Sequence, residues 1–230
     1  FFYLSKKIDK KYINVCYVIF SLILLQGVIG WYMVKSGLVN DITVSHYRLS
    51  IHLSTAILII SIVFWLIKNI TSNKNKIFFK FSKNNFPFQI LIFIIFIQII
   101  LGAFVSGLDA GKIYQTWPLM GNTYIPDDLL YENVISIFQF DNHSLVQFYH
   151  RNLAYLIILY TFGLSIFIYR KRTLNLHKPL KILLFVLFIQ VLLGIITLVS
   201  GLNIYLASMH QITSVLLVFS ALNLYYFNAK

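Results

Sequence analysis

Long apolar runs separated by short polar gaps dominate the pattern of this 230-residue chain. Six of the runs contain about 20 residues each, which as a helix rising about 1.5 Å per residue crosses a hydrocarbon core of roughly 30 Å. The pattern therefore predicts an all-α membrane protein with six transmembrane helices. The predicted spans are residues 13–34, 49–67, 87–107, 150–169, 181–200 and 205–226.

The composition supports a membrane solvent rather than water. Hydrophobic residues make up 59% of the chain and charged residues 11%, whereas a soluble domain has about 25% charged residues. The chain has too few polar residues to cover a globule of this size in water. Its single cysteine, Cys16, excludes an internal disulfide bond.

Basic residues are distributed unevenly between the two sets of gaps. Fifteen of the 19 lysines and arginines lie before the first span or after the second, fourth and sixth, and six of the seven acidic residues lie on the other side. The positive-inside rule therefore places both termini in the cytoplasm or its mitochondrial equivalent, the matrix. The net charge of +12 does not predict nucleic-acid binding, because the lysines form no continuous face.

A recurring pattern of glutamine and small residues predicts an internal repeat. The first and fifth spans share it at an offset of 164, and the third span has a looser copy. We interpret this as two parallel four-helix repeats, with residues 1–86 the remainder of the first and residues 87–230 the complete second; chance recurrence of small residues is the alternative. The copies are Gln26, Gly30, Ser36, Gly37 and Leu38, then Gln190, Gly194, Ser200, Gly201 and Leu202, and Gln98, Gly102, Ser106, Gly107 and Leu108.

Three histidines lie at the same predicted depth, each about one turn inside a helix that runs inward from the outer surface. They are His52, His150 and His210. An ionisable side chain inside a membrane is costly and usually functional, and haem iron is a good partner for a neutral imidazole. Two parallel helices that bear His150 and His210 at equal height could hold a haem between them. The alternative is that each histidine bonds a neighbouring side chain.

Two arginines and one long loop accompany these histidines on the outer side. Arg151 follows His150 and Arg48 precedes His52, where each could pair with an anionic haem propionate. The outer loop of residues 108–143 is long enough to be functional. We expect the part from Gly107 to Glu132 to shield the haem edge, with Trp117 and Tyr124 packed on it.

The remaining histidines are interpreted as loop residues, and three glycines as space for a macrocycle. His46 and His143 are expected to be solvated in outer loops, with His143 kept as a reserve ligand. His177 is expected to be solvated in an inner loop. The glycines that would make room for the macrocycle are Gly163, Gly194 and Gly201.

Several stretches resemble the haem A synthase family of bacteria and mitochondria. They occur in the family's order and cover nearly the whole chain. Each motif is short, but the set is highly specific. The stretches are residues 26–38 (QGVIGWYMVKSGL), 47–53 (YRLSIHL), 106–111 (SGLDAG), 116–121 (TWPLMG), 147–151 (QFYHR) and 206–211 (LASMHQ).

The resemblance implies an oxidoreductase of eight helices in two four-helix halves. The reaction would oxidise the C8 methyl group of haem O to the formyl group of haem A. The C-terminal half would hold haem b for electron transfer, with His150 and His210 as its axial ligands. In the N-terminal half, His52 would be one of two histidines that bind the iron of the substrate, haem O.

The chain departs from the family at its start, where the family's first two helices have no counterpart. The partner of His52 and a catalytic glutamate belong to those helices, so we assign no catalytic residue here. We expect a fragment whose activity on its own is in question. The resemblance places it in a bacterial inner or mitochondrial inner membrane, surrounded by lipid, with haem O synthase as a candidate partner and the electron donor unidentified.

Two alternatives remain open at this stage. One is a non-catalytic b-type cytochrome that only passes electrons. The other is a membrane transporter or assembly subunit that binds no haem.

Overall fold

The computed structural model describes residues 10–37, 44–130 and 137–229, and all regular structure in this part of the chain is helical. A short 3-10 turn, Ala110–Lys112, follows the third helix. The predicted all-α fold is confirmed. The α-helices are α1 (Lys10–Gly37), α2 (His46–Thr71), α3 (Phe86–Gly107), α4 (Asp127–Leu130), α5 (His143–Arg170), α6 (Leu174–Val199) and α7 (Ile204–Asn228).

Six of these helices are long and apolar enough to cross a membrane, which confirms the six predicted spans and an integral membrane protein. The helices extend beyond the apolar windows at several ends. For example, α5 begins at His143 rather than at residue 150, because the Asn142 side chain accepts a hydrogen bond from the Leu145 N–H at 3.0 Å. Such a cap satisfies one of the free N–H groups of a first helical turn and lets polar residues start the helix.

Four of the long helices pack in a closed ring. Helix α3 packs against α5 and α7, and α6 packs against the same two helices. Helices α5 and α7 are therefore diagonally opposite each other. Outside the ring, α2 packs against α3 and α7, and α1 packs mainly against α2. The division of the chain into two repeats at residue 86 remains a prediction.

The two ends of the bundle differ in packing. At the end that carries the α2–α3 loop, Trp65, Phe88 and Tyr225 are buried in a large apolar core, and the Trp65 Nε1–H donates to the Lys76 carbonyl at 2.8 Å. The opposite end, at which α2, α5 and α7 begin, has a small cluster around Phe104 and Val146. We call this second end the histidine end. Its smaller apolar core leaves room there for polar side chains.

A close helix contact at the histidine end buries His46. A Cβ atom added to Gly107 would lie 2.7 Å from the Cβ of His46, so the glycine allows the start of α2 to touch α3. The His46 side chain packs edge-on against Phe104 with 5.2 Å between ring centroids, and its Nε2 is 3.5 Å from Asp141. The prediction of a solvated loop residue was wrong, because α2 begins at His46 itself.

Two other histidines also lie in helices rather than loops. His143 is the first residue of α5 and is exposed. His177 lies in the second turn of α6 and packs against Tyr169 with 4.5 Å between ring centroids. The prediction of a solvated inner-loop position for His177 was wrong, because α6 begins at Leu174 rather than at residue 181.

Candidate functional site

The three candidate ligand histidines lie at matching positions of their helices. His52 is the seventh residue of α2, His150 the eighth of α5 and His210 the seventh of α7. At a rise of about 1.5 Å per residue, each lies roughly 10 Å from the start of its helix. The depths are similar, as expected, but amount to nearly two turns because the helices begin earlier than predicted.

The structure brings His150 and His210 together inside the ring of four helices. Helices α5 and α7 are diagonally opposite and run in the same direction, and each imidazole lies against another helix of the ring, His150 against α3 at Gly102 and His210 against α6 at Gly194. Both residues are partly accessible rather than fully buried. Two imidazoles at similar depth on diagonally opposite helices are candidates to hold a haem between them. Iron binding itself stays a prediction.

A glutamine of the preceding long helix contacts each histidine. This is the kind of neighbouring partner that the alternative interpretation required. The sequence analysis identified the recurring glutamines but did not predict their contacts with the histidines. The sequence feature that indicates these contacts is that each glutamine lies on the long helix before one that bears a histidine. The distances are 3.2 Å from Gln26 Nε2 to His52 Nε2, 3.2 Å from Gln98 Nε2 to His150 Nδ1, and 3.4 Å from Gln190 Nε2 to His210 Nε2.

These contacts leave one oxygen of each glutamine unsatisfied. The Oε1 atoms of Gln26, Gln98 and Gln190 are buried and have no hydrogen-bond partner among the described residues. Native structures contain few such atoms, and each calls for an explanation such as a water or a ligand. Unsatisfied amides beside paired imidazoles fit a site that accepts a further group between the helices. The residues present therefore fit a haem with histidine axial ligands.

Arg151 ties the long loop to the start of α5. Its guanidinium donates to the carbonyl oxygens of Tyr114 and Thr116, both at 2.8 Å, and to that of Leu119 at 3.2 Å. Its Nε atom is buried without a partner in the described part of the chain. The guanidinium is thus already engaged by main-chain oxygens, and its pairing with a propionate remains a prediction.

Other side chains of α5 hold the same loop. Trp117 donates from Nε1 to the Tyr155 hydroxyl at 3.1 Å, and the Tyr124 hydroxyl donates to Asn152. Both aromatic residues thus bond α5 close to His150. The loop lies along the start of α5, and its role in shielding a haem edge stays a prediction.

One tyrosine of this loop is hydrogen-bonded to an aspartate near the end of the same loop. The Tyr114 hydroxyl donates to the Asp128 carboxylate at 2.9 Å. Burial, together with this hydrogen bond, raises the pKa of Tyr114 above its ordinary value. The phenol therefore stays neutral and keeps donating over a wider pH range.

Arg48 connects α2 to α1. Its guanidinium carbon lies 5.2 Å from the centroid of the Tyr32 ring, a cation–π contact. The arginine is one turn before His52, at the histidine end. Its pairing with a propionate of a second haem remains a prediction.

The predicted space-making glycines have different surroundings. Gly163 is exposed and has no heavy atom within 4 Å of an added Cβ among the described residues, so it does not line the site. Gly201 lies after the end of α6 with φ +73°, a turn conformation that favours glycine. Gly194 adjoins the His210 ring. The prediction that Gly163 makes room for a macrocycle beside His150 was wrong, because Gly163 follows His150 in α5 by 13 residues, which is roughly 20 Å along the helix. The role of Gly201 stays a prediction.

No group of three or more His, Cys, Asp or Glu side chains in residues 10–37, 44–130 and 137–229 is placed to hold a metal ion directly. A haem iron differs from a bare ion because the porphyrin supplies four of its ligands, and the protein provides the axial ones. One or two histidines therefore suffice.

Comparison with known proteins identifies relatives of the chain. The family model COX15-CtaA, described as cytochrome oxidase assembly protein, matches residues 1–222. The chain is 45% identical to a haem A synthase of Pelagibacter ubique, and the match covers 100% of this chain and 67% of that protein. It is 38% identical to that of Wolbachia sp. subsp. Brugia malayi, covering 96% of this chain and 65% of the relative, and 39% identical to that of Wolbachia pipientis wMel, covering 96% and 62%. The chain thus spans about two thirds of the length of these relatives.

Proposed function

This chain belongs to the COX15-CtaA family of cytochrome oxidase assembly proteins, and from this premise we propose that it is a haem A synthase. The proposed reaction oxidises the C8 methyl group of haem O to the formyl group of haem A. Relatives that are named haem A synthase, at 35–45% identity, support the proposal. The structural observation that carries it is the placement of His150 and His210 on diagonally opposite helices of the four-helix ring, with each imidazole against a glycine of the preceding long helix.

In this proposal His150 and His210 are the axial ligands of a haem b. Iron held by two imidazoles supplies one-electron transfer. The chain's own contribution is to fix both rings at one depth on helices α5 and α7. In the proposal the docked loop on α5 limits the access of water to the His150 side, and Arg151 is the proposed partner of a haem b propionate.

The α1–α2 pair is proposed to bind the substrate, haem O. His52 is the proposed iron ligand, and Gln26 holds it in the described structure. Arg48 is the proposed partner of a substrate propionate. The proposed location is a bacterial inner or mitochondrial inner membrane with both termini on the cytoplasmic or matrix side. Haem O synthase is a proposed source of the substrate.

A non-catalytic b-type cytochrome is the second candidate. It is favoured by one observation: His150 and His210 lie on helices of the closed ring, whereas His52 lies on α2 outside that ring, where its imidazole contacts Gln26 and Gly30 of α1. Electron transfer requires the pair in the ring, whereas oxidation of a second haem also requires the site at His52.

Spectroscopy and pigment extraction test the proposal. We expect the purified protein to show a sharp Soret band that shifts on reduction, as a bis-histidine haem does. We expect acid-acetone extraction from a strain that supplies haem O to yield haem A or a hydroxylated intermediate. Protohaem alone would support the cytochrome, and a protein without any Soret band would contradict both candidates.

A further inference from the structure

A glycine lies one turn after the glutamine of each pair and faces the histidine ring. A Cβ atom added to the glycine would approach the Cε1 atom of that ring closely in all three cases. Real Cβ contacts are rarely this short, so each ring occupies the space that the missing side chain leaves. The distances are 3.0 Å from Gly30 to His52, 3.2 Å from Gly102 to His150, and 2.9 Å from Gly194 to His210.

We propose that each Gln-x-x-x-Gly stretch is a positioning unit for the iron-binding imidazole of the helix that follows it. The glycine provides the slot for the ring, and in the α6–α7 pair the main-chain carbonyl of the glutamine selects the tautomer. The glutamine side chain holds the other ring nitrogen until iron takes it. This inference rests on the haem-binding function proposed above and assigns roles to Gln98, Gly102, Gln190 and Gly194.

The tautomer follows from a main-chain contact. The Nδ1 atom of His210 is 3.1 Å from the carbonyl oxygen of Gln190. A carbonyl oxygen can only accept, so Nδ1 carries the proton and Nε2 has the free lone pair. A carbonyl that accepts from one ring nitrogen is a common way to orient a histidine whose other nitrogen binds metal.

The glutamine side-chain amide contacts the ring nitrogen that iron would bind, so bound iron would displace the amide. In the described structure Gln190 Nε2 lies 3.4 Å from His210 Nε2, the atom whose lone pair iron would take. The Gln98 amide also donates to the main-chain oxygen of His150 at 2.9 Å, a bond it can keep when it leaves the ring. Among the described residues, the Oε1 atoms of both glutamines have no hydrogen-bond partner, so no second bond through oxygen from this part of the chain holds the amides in place.

The positioning unit occurs three times, which argues against a chance contact. It is found in α1–α2, α3–α5 and α6–α7, which are joined by connections of very different length. In each case the same three residue types meet: the glutamine Nε2 lies within 3.4 Å of the imidazole Nε2, and the glycine lies against the ring Cε1. A packing accident would not repeat the glycine, the amide and the imidazole together.

Glycine substitutions test the slot with matched controls in the same chain. We expect Gly102→Ala and Gly194→Ala to weaken hemin binding at least tenfold, measured by titrating hemin into the purified full chain in nanodiscs, and to replace the low-spin bis-histidine spectrum by a high-spin one. Gly163→Ala and Gly27→Ala should bind hemin as the wild type does, since an added Cβ there meets no described atom within 4 Å. Equal spectra for Gly102→Ala and Gly163→Ala would overturn the proposal.

A double variant keeps the test valid if Gly102→Ala destabilises the protein. Without hemin, we expect Gly102→Ala to lower the melting temperature, and we expect the added His150→Ala to recover part of the loss because the ring that meets the new Cβ is gone. Such non-additivity is the signature of two groups in direct contact. If the double variant lowers the melting temperature by the sum of the decreases in the two single variants, the proposal that Gly102 provides a slot for the His150 ring is wrong.

Substitution of the glutamine is expected to strengthen hemin binding, whereas substitution of the glycines is expected to weaken it. Gln190→Leu removes the amide that competes with iron but keeps the main-chain carbonyl, so we expect hemin to bind about threefold to tenfold more tightly, as the loss of one hydrogen bond predicts. A role in packing alone predicts weaker binding. Gln211→Leu, next to His210 and exposed, is the control that should leave the affinity unchanged.

If Gln190→Leu binds hemin more weakly than the wild type does, the proposal that iron displaces the Gln190 amide is wrong. Failure of this inference is distinguishable from failure of the proposed function by the wild-type titration. A wild-type chain that takes up no hemin overturns the proposed function and the positioning role with it. A wild-type chain that shows the bis-histidine spectrum while the glycine and glutamine variants match their controls overturns the positioning role alone.

Discussion

The α3–α5 and α6–α7 pairs place their histidines by the same local arrangement but connect their helices in very different ways. Between α6 and α7 the connection is residues 200–203, whereas between α3 and α5 it is residues 108–142. His150 and His210 nevertheless lie at nearly the same depth, each against a glycine and a glutamine of the preceding helix. Imidazole placement therefore depends on the packed helices and not on the connection between them.

The long connection adds something that the short one lacks. It is docked on α5 by the residue after His150, Arg151, and the corresponding residue after His210 is the exposed Gln211. In the proposed site the two ligand helices would thus be equivalent for iron, but their surroundings at the histidine end differ. Experiments that treat the two pairs alike should give equal effects, and experiments on the docked loop should affect only one pair.

The largest expected effect is the loss of haem when either ligand is removed. We predict that His150→Ala and His210→Ala each abolish the bis-histidine Soret band of the purified protein, because a single remaining imidazole cannot give a six-coordinate low-spin iron. His177→Ala, near the opposite end of the bundle, should leave the band intact. A band that survives His210→Ala but not His177→Ala would remove the ligand assignment and the equivalence of the two pairs.

The next effect should be confined to the α3–α5 pair. Arg151→Ala removes three hydrogen bonds to loop carbonyls, and bonds to a charged group contribute about 1.5–3 kcal/mol each where well formed. Because the loop is at the protein surface, we expect a total of about 2 kcal/mol, which corresponds to roughly thirtyfold faster amide exchange. Hydrogen–deuterium exchange of residues 114–119 measures it.

The control for this prediction is Gln211→Ala, which should leave exchange in residues 114–119 unchanged. Unchanged exchange in Arg151→Ala would show that the arginine does not hold the loop. If exchange stays unchanged while hemin affinity falls, the arginine serves a propionate instead, and the two ligand helices differ in cofactor contacts rather than in loop docking.

Much of the fold was predictable because it depends on hydropathy. Runs of about 20 apolar residues indicate spans whatever their neighbours are, and all six were found. Helix ends were predicted less well. Helix α5 begins with polar residues behind the capping Asn142, and α6 begins at Leu174, before its apolar run and without a side-chain cap. For the same reason His46 and His177 lie in helices rather than in the predicted loops.

The candidate site was predictable in its histidines but not in their partners. A glutamine at one turn before a glycine is visible in the sequence, whereas its contact with an imidazole on the next helix depends on how two helices pack. The Ser-Gly-Leu copies show the same limit. Gly107 ends α3 and allows contact with His46, whereas Gly201 has φ +73° in a turn, so identical residues serve different purposes because their neighbours differ.

The smallest expected effect concerns the internal support of the docked loop, which the α6–α7 turn lacks. Because the folded pKa of Tyr114 is raised above its ordinary value of about 10, its hydrogen bond to Asp128 stabilises the loop below pH 10 and is lost as the pH rises through the raised pKa. We predict that Tyr114→Phe costs about 0.5 kcal/mol of loop stability at pH 7, near the lower limit for one hydrogen bond because the pair is exposed. Tyrosinate absorbance is titrated against pH in the wild type and in Tyr114→Phe, and the second curve is subtracted from the first. The difference curve reports the Tyr114 phenol alone, and the midpoint of that curve should lie above pH 10. Asp128→Asn should bring the midpoint down, because a neutral amide repels the phenolate less than a carboxylate does. A midpoint at or below pH 10 in the wild type would mean that the loop is not packed as described, and that the two helix pairs differ in connection length alone.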